Sequence, residues 1–573
     1  MADATVNESA ATPRLQISPY GIFAGLLVIL IVLLVAFPIG RMILRAFTVD
    51  GHFTLASAQA TLQEEWLPDV LINTVTLVVA STLLSLVIGA IMAWLNERTD
   101  ANLGVAGVVL PILPFLIPSV ALAIGWAFIG APRVGFLNGF LAWLPGIGRD
   151  GLDLSVNIYS WSGLIWVYTL HGVPYIYLIV SAALRNLDPS LEEASLMNGA
   201  SLFRTVRKVS LPAIRPALLS ASLLVAISGF ALYSLPAILA TAARIDILSV
   251  HAIRLLRNTY PPRIDQAVVL GLMTLLMVGT LWLAQKYFVA GGRFVSLGGR
   301  ASASRLIPLG KWRNPARVVM VFYLACASII PLIALFIVAF QPFWSPIINV
   351  SLLTWENFRT VLFEDRLTSA AFWNSLKISV VGATLATAVA LTISIYTARN
   401  KTWFARIADG LVKAPSTISA LVISIGFLLT FSGAPFYLGG TLVILMLAFI
   451  VIYLPSASIT VDAAVGQIGN DLWEASHISG AGDGRTVRKV VAPLAMLGLA
   501  VAWSIVFVHM MGDLSASALL AGVGSPVIGY AIIEIWDNGS FSQLAAFSTL
   551  MCFAITAVVA SVIGAARWYT RNG

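Results

Sequence analysis

Apolar runs of about 20 residues recur along the whole chain and are separated by shorter polar stretches. A helix of that length crosses roughly 30 Å of hydrocarbon, so each run is a candidate membrane span. Several runs contain Pro or Gly, which a bundle of neighbouring helices can accommodate. The pattern predicts twelve spans, at residues 20–40, 70–95, 104–130, 160–184, 213–239, 265–289, 316–341, 371–397, 407–430, 438–460, 494–515 and 541–566.

The composition supports an all-α polytopic membrane protein. Of the 573 residues, 59% are hydrophobic and 10% are charged, whereas a soluble domain carries roughly 25% charged residues. Residues 1–17 are short and polar, and they predict a cytoplasmic tail. The first apolar run is too long for the core of a typical signal peptide, so we expect a retained span. Cys326 and Cys552 lie in apolar runs, which argues against a disulfide framework or a thiolate metal site.

The net charge of +8 indicates orientation more than nucleic-acid binding, because the basic residues cluster in alternate loops. With the N-terminus inside, most Lys and Arg residues fall in loops on the cytoplasmic side, including the dense stretch from Lys286 to Arg317. Positive-inside weighting therefore places both termini in the cytoplasm. Attraction to anionic lipid would add to this signal, and no nucleic-acid partner is expected.

The chain contains two copies of one pattern. The hexamer RTVRKV occurs at residues 204–209 and 485–490, and the similarity extends over Asp188–Pro212 and Gly469–Pro493. Asn73 and Asn374 each open the second span of a half, in NTV and NSL. Six spans per half make the repeats parallel. We therefore predict a first half at residues 18–290, a basic cytoplasmic joint at 291–315 and a second half at 316–573.

Each repeated loop predicts two short helices separated by a bend. Ser190 and Asp471 are candidate N-caps, with Glu193 and Glu474 three residues later as in a capping box. Gly199 and Gly480 suit a helix end or a close approach to another backbone, and Pro212 and Pro493 suit the first turn of the next span. A capped helix whose basic side chains meet only lipid headgroups is the simpler alternative. Duplication at matching places favours two copies of one protein partner instead.

The loop resembles the EAA motif of permease subunits of ABC importers: Glu-Ala-small, three residues, Gly, nine residues, aliphatic-x-Leu-Pro. The first copy fits at Glu193, Ala194, Ser195, Gly199, Val209, Leu211 and Pro212. The second copy has Ala492 in place of the usual Leu. The resemblance covers both halves and implies the type I ABC importer fold, with twelve transmembrane helices as two parallel six-helix repeats.

In that family the motif forms the coupling helix, which docks on a cytoplasmic ATPase. The resemblance assigns this coupling role to Glu193, Ala194, Gly199, Arg204, Arg207, Lys208 and Pro212, and to Glu474, Ala475, Gly480, Arg485, Arg488, Lys489 and Pro493. The chain has no phosphate loop of the form G-x-x-x-x-G-K-[ST]. We therefore expect no enzymatic activity and no cofactor in this chain, with ATP and Mg²⁺ used by a separate ATPase dimer. A periplasmic substrate-binding protein and a bacterial inner-membrane location follow from the same resemblance.

Fused permeases of this kind resemble importers of ferric iron, thiamine and 2-aminoethylphosphonate. The stretch from Asn157 to Ser195 looks most like the ferric-iron group, although Asp513-Leu-Ser-Ala-Ser517 stands where that group often has Glu-Leu-Pro-Ala-Thr. Polar residues in or beside the spans are candidates for the translocation path: Asn73, His171, Tyr175, Tyr233, Asn374, His509 and Asp513. For the two Asn residues, hydrogen bonding between helices is the simpler alternative. The spacing of His509 and Asp513 allows a hydrogen-bonded pair, and five His residues do not predict a metal cage.

Two other classes of function remain open. A secondary transporter is also commonly built from six plus six spans, but its coupling charges should lie at mid-membrane rather than in loops. An intramembrane enzyme would need converging catalytic groups, and the sequence offers no metal-ligand or nucleophile–base pattern. The ABC permease is the leading interpretation.

Overall fold

The computed structural model describes residues 19–49, 52–104, 107, 113–144, 155–290, 306–400 and 402–572. The described chain is almost entirely helical, which confirms the predicted fold class. Two strands of two residues, β1 (Thr48–Val49) and β2 (His52–Phe53), pair antiparallel after the first helix. The proposed tail at residues 1–17 and most of the proposed joint at 291–315 lie outside the described residues.

The helices of the first half are α1 (Pro19–Phe47), α2 (Ala56–Leu62), α3 (Leu67–Arg98), α4 (Leu113–Leu116), α5 (Ser119–Gly130), α6 (Phe136–Trp143), α7 (Trp161–Asn186), α8 (Pro189–Met197), α9 (Leu202–Thr205), α10 (Leu211–Ala213), α11 (Arg215–Ala231), α12 (Ser234–Ala243), α13 (Leu248–Arg257) and α14 (Ile264–Ala290).

The helices of the second half are α15 (Arg313–Leu324), α16 (Ile330–Phe340), α17 (Glu356–Arg359), α18 (Arg366–Arg399), α19 (Trp403–Lys413), α20 (Ala420–Phe431), α21 (Leu442–Val465), α22 (Asn470–Ile478), α23 (Asp483–Thr486), α24 (Ala492–Leu494), α25 (Met496–Met511), α26 (Ser515–Leu520), α27 (Ile528–Asp537) and α28 (Phe541–Asn572). Short π-helical segments follow α9, α15, α17 and α23, and 3₁₀ turns lie at Gly310–Trp312, Val350–Leu352 and Ala414–Thr417.

Eight helices of the described chain are long and apolar enough to cross a membrane without a break, and four bent helix pairs bring the number to at most twelve. The boundaries differ from the predicted ones where polar or Pro-containing turns interrupt an apolar run. The predicted span 407–430 is bent by 98° between α19 and α20, after the 3₁₀ turn at Ala414–Thr417. The predicted span 213–239 breaks after Ala231, and its remainder forms α12, which turns by 84° into α13. For the predicted span 104–130, the long described helix is α5, with 12 residues.

The two halves exchange their first helices. Helix α1 packs against α20 of the second half, and α16 packs against α5 of the first. Glycines at equivalent positions make both crossings close. A Cβ placed on Gly125 of α5 would lie 2.6 Å from Cβ of Pro331, and a Cβ on Gly426 of α20 would lie 3.0 Å from Cβ of Pro38. Neither contact leaves room for a larger residue without movement.

The repeated Asn residues fix a loop to the second long helix of each half. The Asn73 side chain donates to the carbonyl of Asp246 (3.2 Å), and the Thr74 hydroxyl accepts from the Leu248 amide (2.9 Å). Asn374 and Ser375 do the same for Pro526 and Ile528, at 2.9 and 2.7 Å. Each pair thus satisfies a carbonyl before α13 or α27 and an amide at its start, where a helix leaves backbone groups unpaired. The repeated NTV and NSL signatures have this structural explanation.

Chain direction places both repeated loops, residues 188–212 and 469–493, on one face of the bundle, which we call the loop face. Arg98 at the end of α3 contacts Glu192 in the first loop, and Arg399 at the end of α18 contacts Trp473 in the second. Arg317 of α15 donates to the carbonyls of residues 100–102, so α15 also starts at this face. The starts of α14, α18 and α28 therefore lie on the opposite face.

Replacing Gly125 with Ala should destabilise the protein by about 1–3 kcal/mol, the usual cost of overpacking a tight contact, because the new methyl group would overlap Pro331. The measurement is thermal unfolding of the purified protein in detergent, followed by tryptophan fluorescence. Gly279→Ala is the matched control, since no atom lies within 4 Å of a Cβ placed there and Ala favours helix. Equal melting temperatures for the two variants would contradict the packing account.

Candidate functional site

The two repeated loops share one local structure that begins with a short helix. In the first loop α8 starts at Pro189, and the Asp188 carboxylate caps it by accepting from the Ser190 amide at 2.9 Å. This hydrogen bond holds the pKa of the Asp188 carboxyl below its usual value. The predicted N-caps were therefore wrong: the cap of α8 is two residues before Ser190, and Asp471 lies inside the first turn of α22.

Gly199 and Gly480 end these helices in the same left-handed conformation, with φ of +79° at both positions. The next amide closes the turn in each case: Ala200 donates to the Ser195 carbonyl (3.2 Å) and Ala481 to the Ser476 carbonyl (3.1 Å). No atom of the described chain lies within 4 Å of a Cβ placed on either glycine. Within this chain the glycines are needed for backbone conformation, since a left-handed residue other than Gly costs roughly 1–2 kcal/mol.

A hydrogen bond between two hydroxyl groups joins the two short helices of each loop. Ser195 and Thr205 are 2.9 Å apart in the first loop, and Ser476 and Thr486 are 2.8 Å apart in the second. Both threonines are buried. The Ser of Glu-Ala-Ser and the Thr of RTVRKV are thus partners in one contact. This contact explains why the two motifs recur together at a fixed spacing.

The remaining residues of the hexamer form a π-helical turn, at Val206–Ser210 and at Val487–Val491. The basic side chains of both hexamers are exposed, and none of them forms an ion pair with a described residue; they are Arg204, Arg207, Lys208, Arg485, Arg488 and Lys489. Glu193, Ala194, Glu474 and Ala475 are exposed as well, and Pro212 and Pro493 lie in the first turns of α10 and α24.

Large apolar side chains are exposed beside these charges at equivalent positions. Met197 is 90% exposed and Ile478 is 86% exposed, each two residues before the left-handed glycine. Exposed apolar side chains within a polar rim are typical of an interaction surface. At these positions the two loops present the same combination of apolar and basic groups on one face of the bundle, whereas the exposed Phe203 corresponds to Gly484.

A buried ion pair, which the sequence did not indicate, attaches the first loop to the spans. Nε of Arg98 lies 3.3 Å from Oε2 of Glu192, and both side chains are at least 94% buried. Arg98 also donates to the carbonyls of Leu184 and Leu187, each at 2.8 Å, and the Ser210 hydroxyl donates to Glu192 at 2.5 Å. Glu192 directly precedes the motif residue Glu193, and this Glu-Glu doublet marks Glu192 but not its partner Arg98.

The second loop is attached at the equivalent place by different chemistry. Cζ of Arg399 lies 5.1 Å from the ring centroid of Trp473, a cation–π contact. Arg399 is at the end of α18, as Arg98 is at the end of α3. Trp473 precedes Glu474 just as Glu192 precedes Glu193. The arginine is thus common to both halves, whereas the residue directly before the motif Glu changes from a carboxylate to an indole ring.

A cavity of about 280 Å³ lies between the two halves. Five of the seven residues predicted for a translocation path line it: His171, Tyr175, Tyr233, His509 and Asp513. Asn73 and Asn374 do not, because both belong to the loop attachments described above. The lining also includes Tyr453, which could not be predicted because a lone Tyr in an apolar run carries no distinctive signal. Among the described lining residues there is no Lys or Arg.

The polar groups of the cavity are held in defined positions. Oδ2 of Asp513 accepts from the Tyr453 hydroxyl at 2.7 Å, and Oδ1 accepts from the Ala516 amide at 2.9 Å. Asp513 is therefore not hydrogen-bonded to His509 as the spacing had suggested. Nδ1 of His509 lies 2.7 Å from the Ile505 carbonyl, which can only accept. Nδ1 must then carry a proton.

His171 and Tyr175 share one wall of the cavity, with ring centroids 5.8 Å apart. The buried hydroxyl of Tyr168 has no hydrogen-bond partner in the described chain and lines an adjoining cleft with both residues. Among the described residues, no three His, Cys, Asp or Glu side chains are grouped as metal ligands. The cavity can thus offer imidazole, phenol and carboxylate groups to a passing solute, without a preformed cage.

Comparison with known proteins gives one family and several relatives. The family model described as "Binding-protein-dependent transport system inner membrane component" matches residues 85–289 and 390–572. The chain is 26% identical to the probable ABC transporter permease protein y4fN of Sinorhizobium fredii, over 81% of each chain. It is also 26% identical to the Fe(3+)-transport system permease protein FbpB 2 of Haemophilus influenzae, over 91% of this chain and 93% of the relative.

A third relative is matched over a shorter stretch. The putative 2-aminoethylphosphonate transport system permease protein PhnV of Salmonella typhimurium is 26% identical over 29% of this chain and 61% of its own length. The family model matches well over half of the residues, and its two matched segments lie one in each half. The chain is a member of the family of binding-protein-dependent transport system inner membrane components, with two family domains fused in one polypeptide.

Proposed function

We propose that this ABC importer permease carries ferric iron across the bacterial inner membrane. A substrate-binding protein delivers the cargo at the face opposite the loops, and a separate ATPase dimer binds the loop face. ATP and Mg²⁺ are used by that dimer, and this chain is not an enzyme. Both termini are then cytoplasmic, since the loop face is the cytoplasmic face.

One observation carries this proposal: two loops of the same structure lie on one face of a single chain. Each has a left-handed glycine, a pair of bonded hydroxyl groups and a π-helical turn. Each also exposes a large apolar side chain two residues before the glycine, and three basic side chains. A partner with two identical subunits fits such a pair of surfaces, as an ATPase dimer would.

The loops are connected to the cavity through the spans on either side of them. Helix α7 carries His171 and Tyr175 and ends at the first loop, where Arg98 binds its final carbonyls. Helix α25 begins after the second loop and carries His509, with Asp513 just beyond its end. Movement of both loops by a closing ATPase dimer would therefore move the walls of the cavity relative to each other.

Ferric iron is the cargo that the cavity and the relatives favour together. The relative named for Fe(3+) transport matches 91% of the chain, whereas the one named for 2-aminoethylphosphonate matches 29%. Asp513 lines the cavity, and no Lys or Arg is among the described lining residues. Recognition of a phosphonate usually relies on Arg or Lys, while imidazole suits iron. Thiamine, also a cation, is the second candidate that this lining would accept.

Replacing both Gly199 and Gly480 with Val should weaken binding of the ATPase and reduce uptake, because Val cannot adopt the left-handed turn without strain of roughly 1–2 kcal/mol per site. The measurements are co-purification of the cognate ATPase and uptake by cells that express the complete importer. Replacing both with Asn should retain most activity, since Asn tolerates this conformation.

Gly539→Val is the matched control for the glycine experiment. Gly539 has nearly the same backbone conformation, with φ of +74°, but lies on the opposite face between α27 and α28. It should leave binding of the ATPase unchanged. Full ATPase binding and uptake by the double Val variant would refute the coupling role.

Asp513→Asn should slow ferric iron uptake about tenfold, which corresponds to about 1.4 kcal/mol, because it removes the carboxylate charge from the cavity. The amide can still accept from Ala516 and bond to Tyr453, so folding should be retained. The measurement is uptake of radioactive iron by the importer reconstituted with its binding protein and ATPase, with unlabelled thiamine and 2-aminoethylphosphonate as competitors.

Ser517→Ala is the control for that variant, because it removes the Ser517 hydrogen bond to the Asp513 carbonyl (2.8 Å) and keeps the charge. It should transport iron at close to the normal rate. Abolition of iron uptake by either competitor would show that ferric iron is not the cargo that this cavity admits. Transport of iron at the full rate by Asp513→Asn would show the same.

A further inference from the structure

Two equivalent helices at the face opposite the loops carry opposite charges. Helix α13 precedes the last span of the first half, and α27 precedes the last span of the second. The equivalent hydrogen bonds to Thr74 and Ser375 align Leu248 with Ile528. In that alignment the basic residues Arg254 and Arg257 match the acidic residues Glu534 and Asp537.

One ion pair between these two sets of charges crosses the boundary between the halves. Nη2 of Arg257 donates to Oε1 of Glu534 at 2.9 Å. Cζ of Arg257 also lies 5.5 Å from the ring centroid of Tyr530, one turn before Glu534 on α27. The guanidinium thus contacts a carboxylate and an aromatic ring on the same face of the other half's helix. The side chains of Arg257 and Glu534 are 25% and 35% exposed.

The other charges on α13 are occupied within the first half. Arg254 lies 2.6 Å from Asp246, and Nδ1 of His251 lies 3.5 Å from the other oxygen of the same carboxylate. The His251 ring also stacks on Trp66, with centroids 4.1 Å apart. Arg257 is therefore the cation of α13 that reaches the second half, and Asp537 is the further acidic group beside it.

The ion pair lies next to the cavity, on the side away from the loops. A small cleft is lined by Arg254, Arg257, Asp537 and Tyr233, and Tyr233 also lines the central cavity. Helices α11 and α25 run from the loop face towards the opposite face, and their final turns carry residues that line the cavity. Helices α13 and α27 come after these two helices in the chain. Separating α13 from α27 would therefore open the cavity towards the opposite face.

We propose that Arg257 and Glu534 form an ionic latch that holds the cavity closed at the face opposite the loops. The inference rests on the proposed transport function and adds the ion pair that controls access to the cavity from the face where the cargo is delivered. A partly exposed ion pair contributes little stability, so the latch can break in each transport cycle. Tyr530 keeps the guanidinium near α27 as it releases the carboxylate.

Cysteine labelling in intact cells tests the latch without any cargo. Ser228→Cys places a thiol in the cavity, in a chain where Cys326 and Cys552 are replaced by Ala. Glu534→Gln should raise its rate of reaction with a membrane-impermeant maleimide about two- to fivefold, the range that a pair of this kind can shift an equilibrium. Arg257→Lys should stay close to the parent rate, since it keeps the charge.

Asp265→Asn is the matched control variant. It breaks another ion pair at the same face, Arg45–Asp265 at 2.8 Å, in which both residues belong to the first half. It should leave the labelling rate unchanged. Equal rates for Glu534→Gln and the parent chain, or equal increases for Glu534→Gln and Asp265→Asn, would overturn the latch.

The salt dependence of the labelling rate is a second test, and it does not depend on whether a Glu534 variant folds. Raising the salt concentration screens a partly exposed ion pair, so the parent Ser228→Cys chain should be labelled faster at high salt. A labelling rate that does not depend on salt would contradict the proposal. Tyr260→Cys, at a fully exposed position near the end of α13, should label readily, and Met197→Cys should not. The reverse pattern would refute the proposed membrane orientation, and the latch would then be tested in inverted vesicles.

Discussion

The exchange of first helices between the halves is the contact on which the rest of the bundle depends. In lipid there is little hydrophobic drive to bring helices together, so close packing at small residues has to do it. Gly125 against Pro331 and Gly426 against Pro38 provide that packing at equivalent places. Because each half holds a helix of the other, the halves enclose a cavity between them. The loops at one face and the ion pair at the other can then act on the same enclosed space.

Much of this architecture could be predicted from the sequence. Apolar length is set by bilayer thickness, so the class of fold followed directly from the runs. The breaks within the spans could not be predicted from apolar length. Hydropathy is averaged over many residues and does not single out residues such as Leu232 and Tyr233, where the backbone turns between α11 and α12. Helix starts were also misplaced. Asp188 and Ser190 are both good caps by type, and only the backbone shows which of them stands before the first turn.

The candidate sites also divide into those that the sequence could predict and those that it could not. The repeated loops were found because duplication marks matching positions without any knowledge of contacts. Arg98–Glu192 and Arg257–Glu534 were missed because their members are 94 and 277 residues apart, which no local pattern can connect. Of the polar residues in the spans, the cavity gathers His171, His509 and Asp513, whereas Asn73 and Asn374 serve the backbone. Residue type alone could not separate these two uses.

The two loops differ at one buried position, where Glu192 corresponds to Trp473, and agree at their exposed basic residues. Within most folds the interior is the part that tolerates least change, while surfaces drift. At these positions the two loops show the reverse, since the buried residue changes while the exposed basic residues do not. A symmetric partner, by contrast, would meet both loops with identical surfaces. Under the proposed function, the internal duplication records, on its outer side, the shape of a surface that belongs to the ATPase.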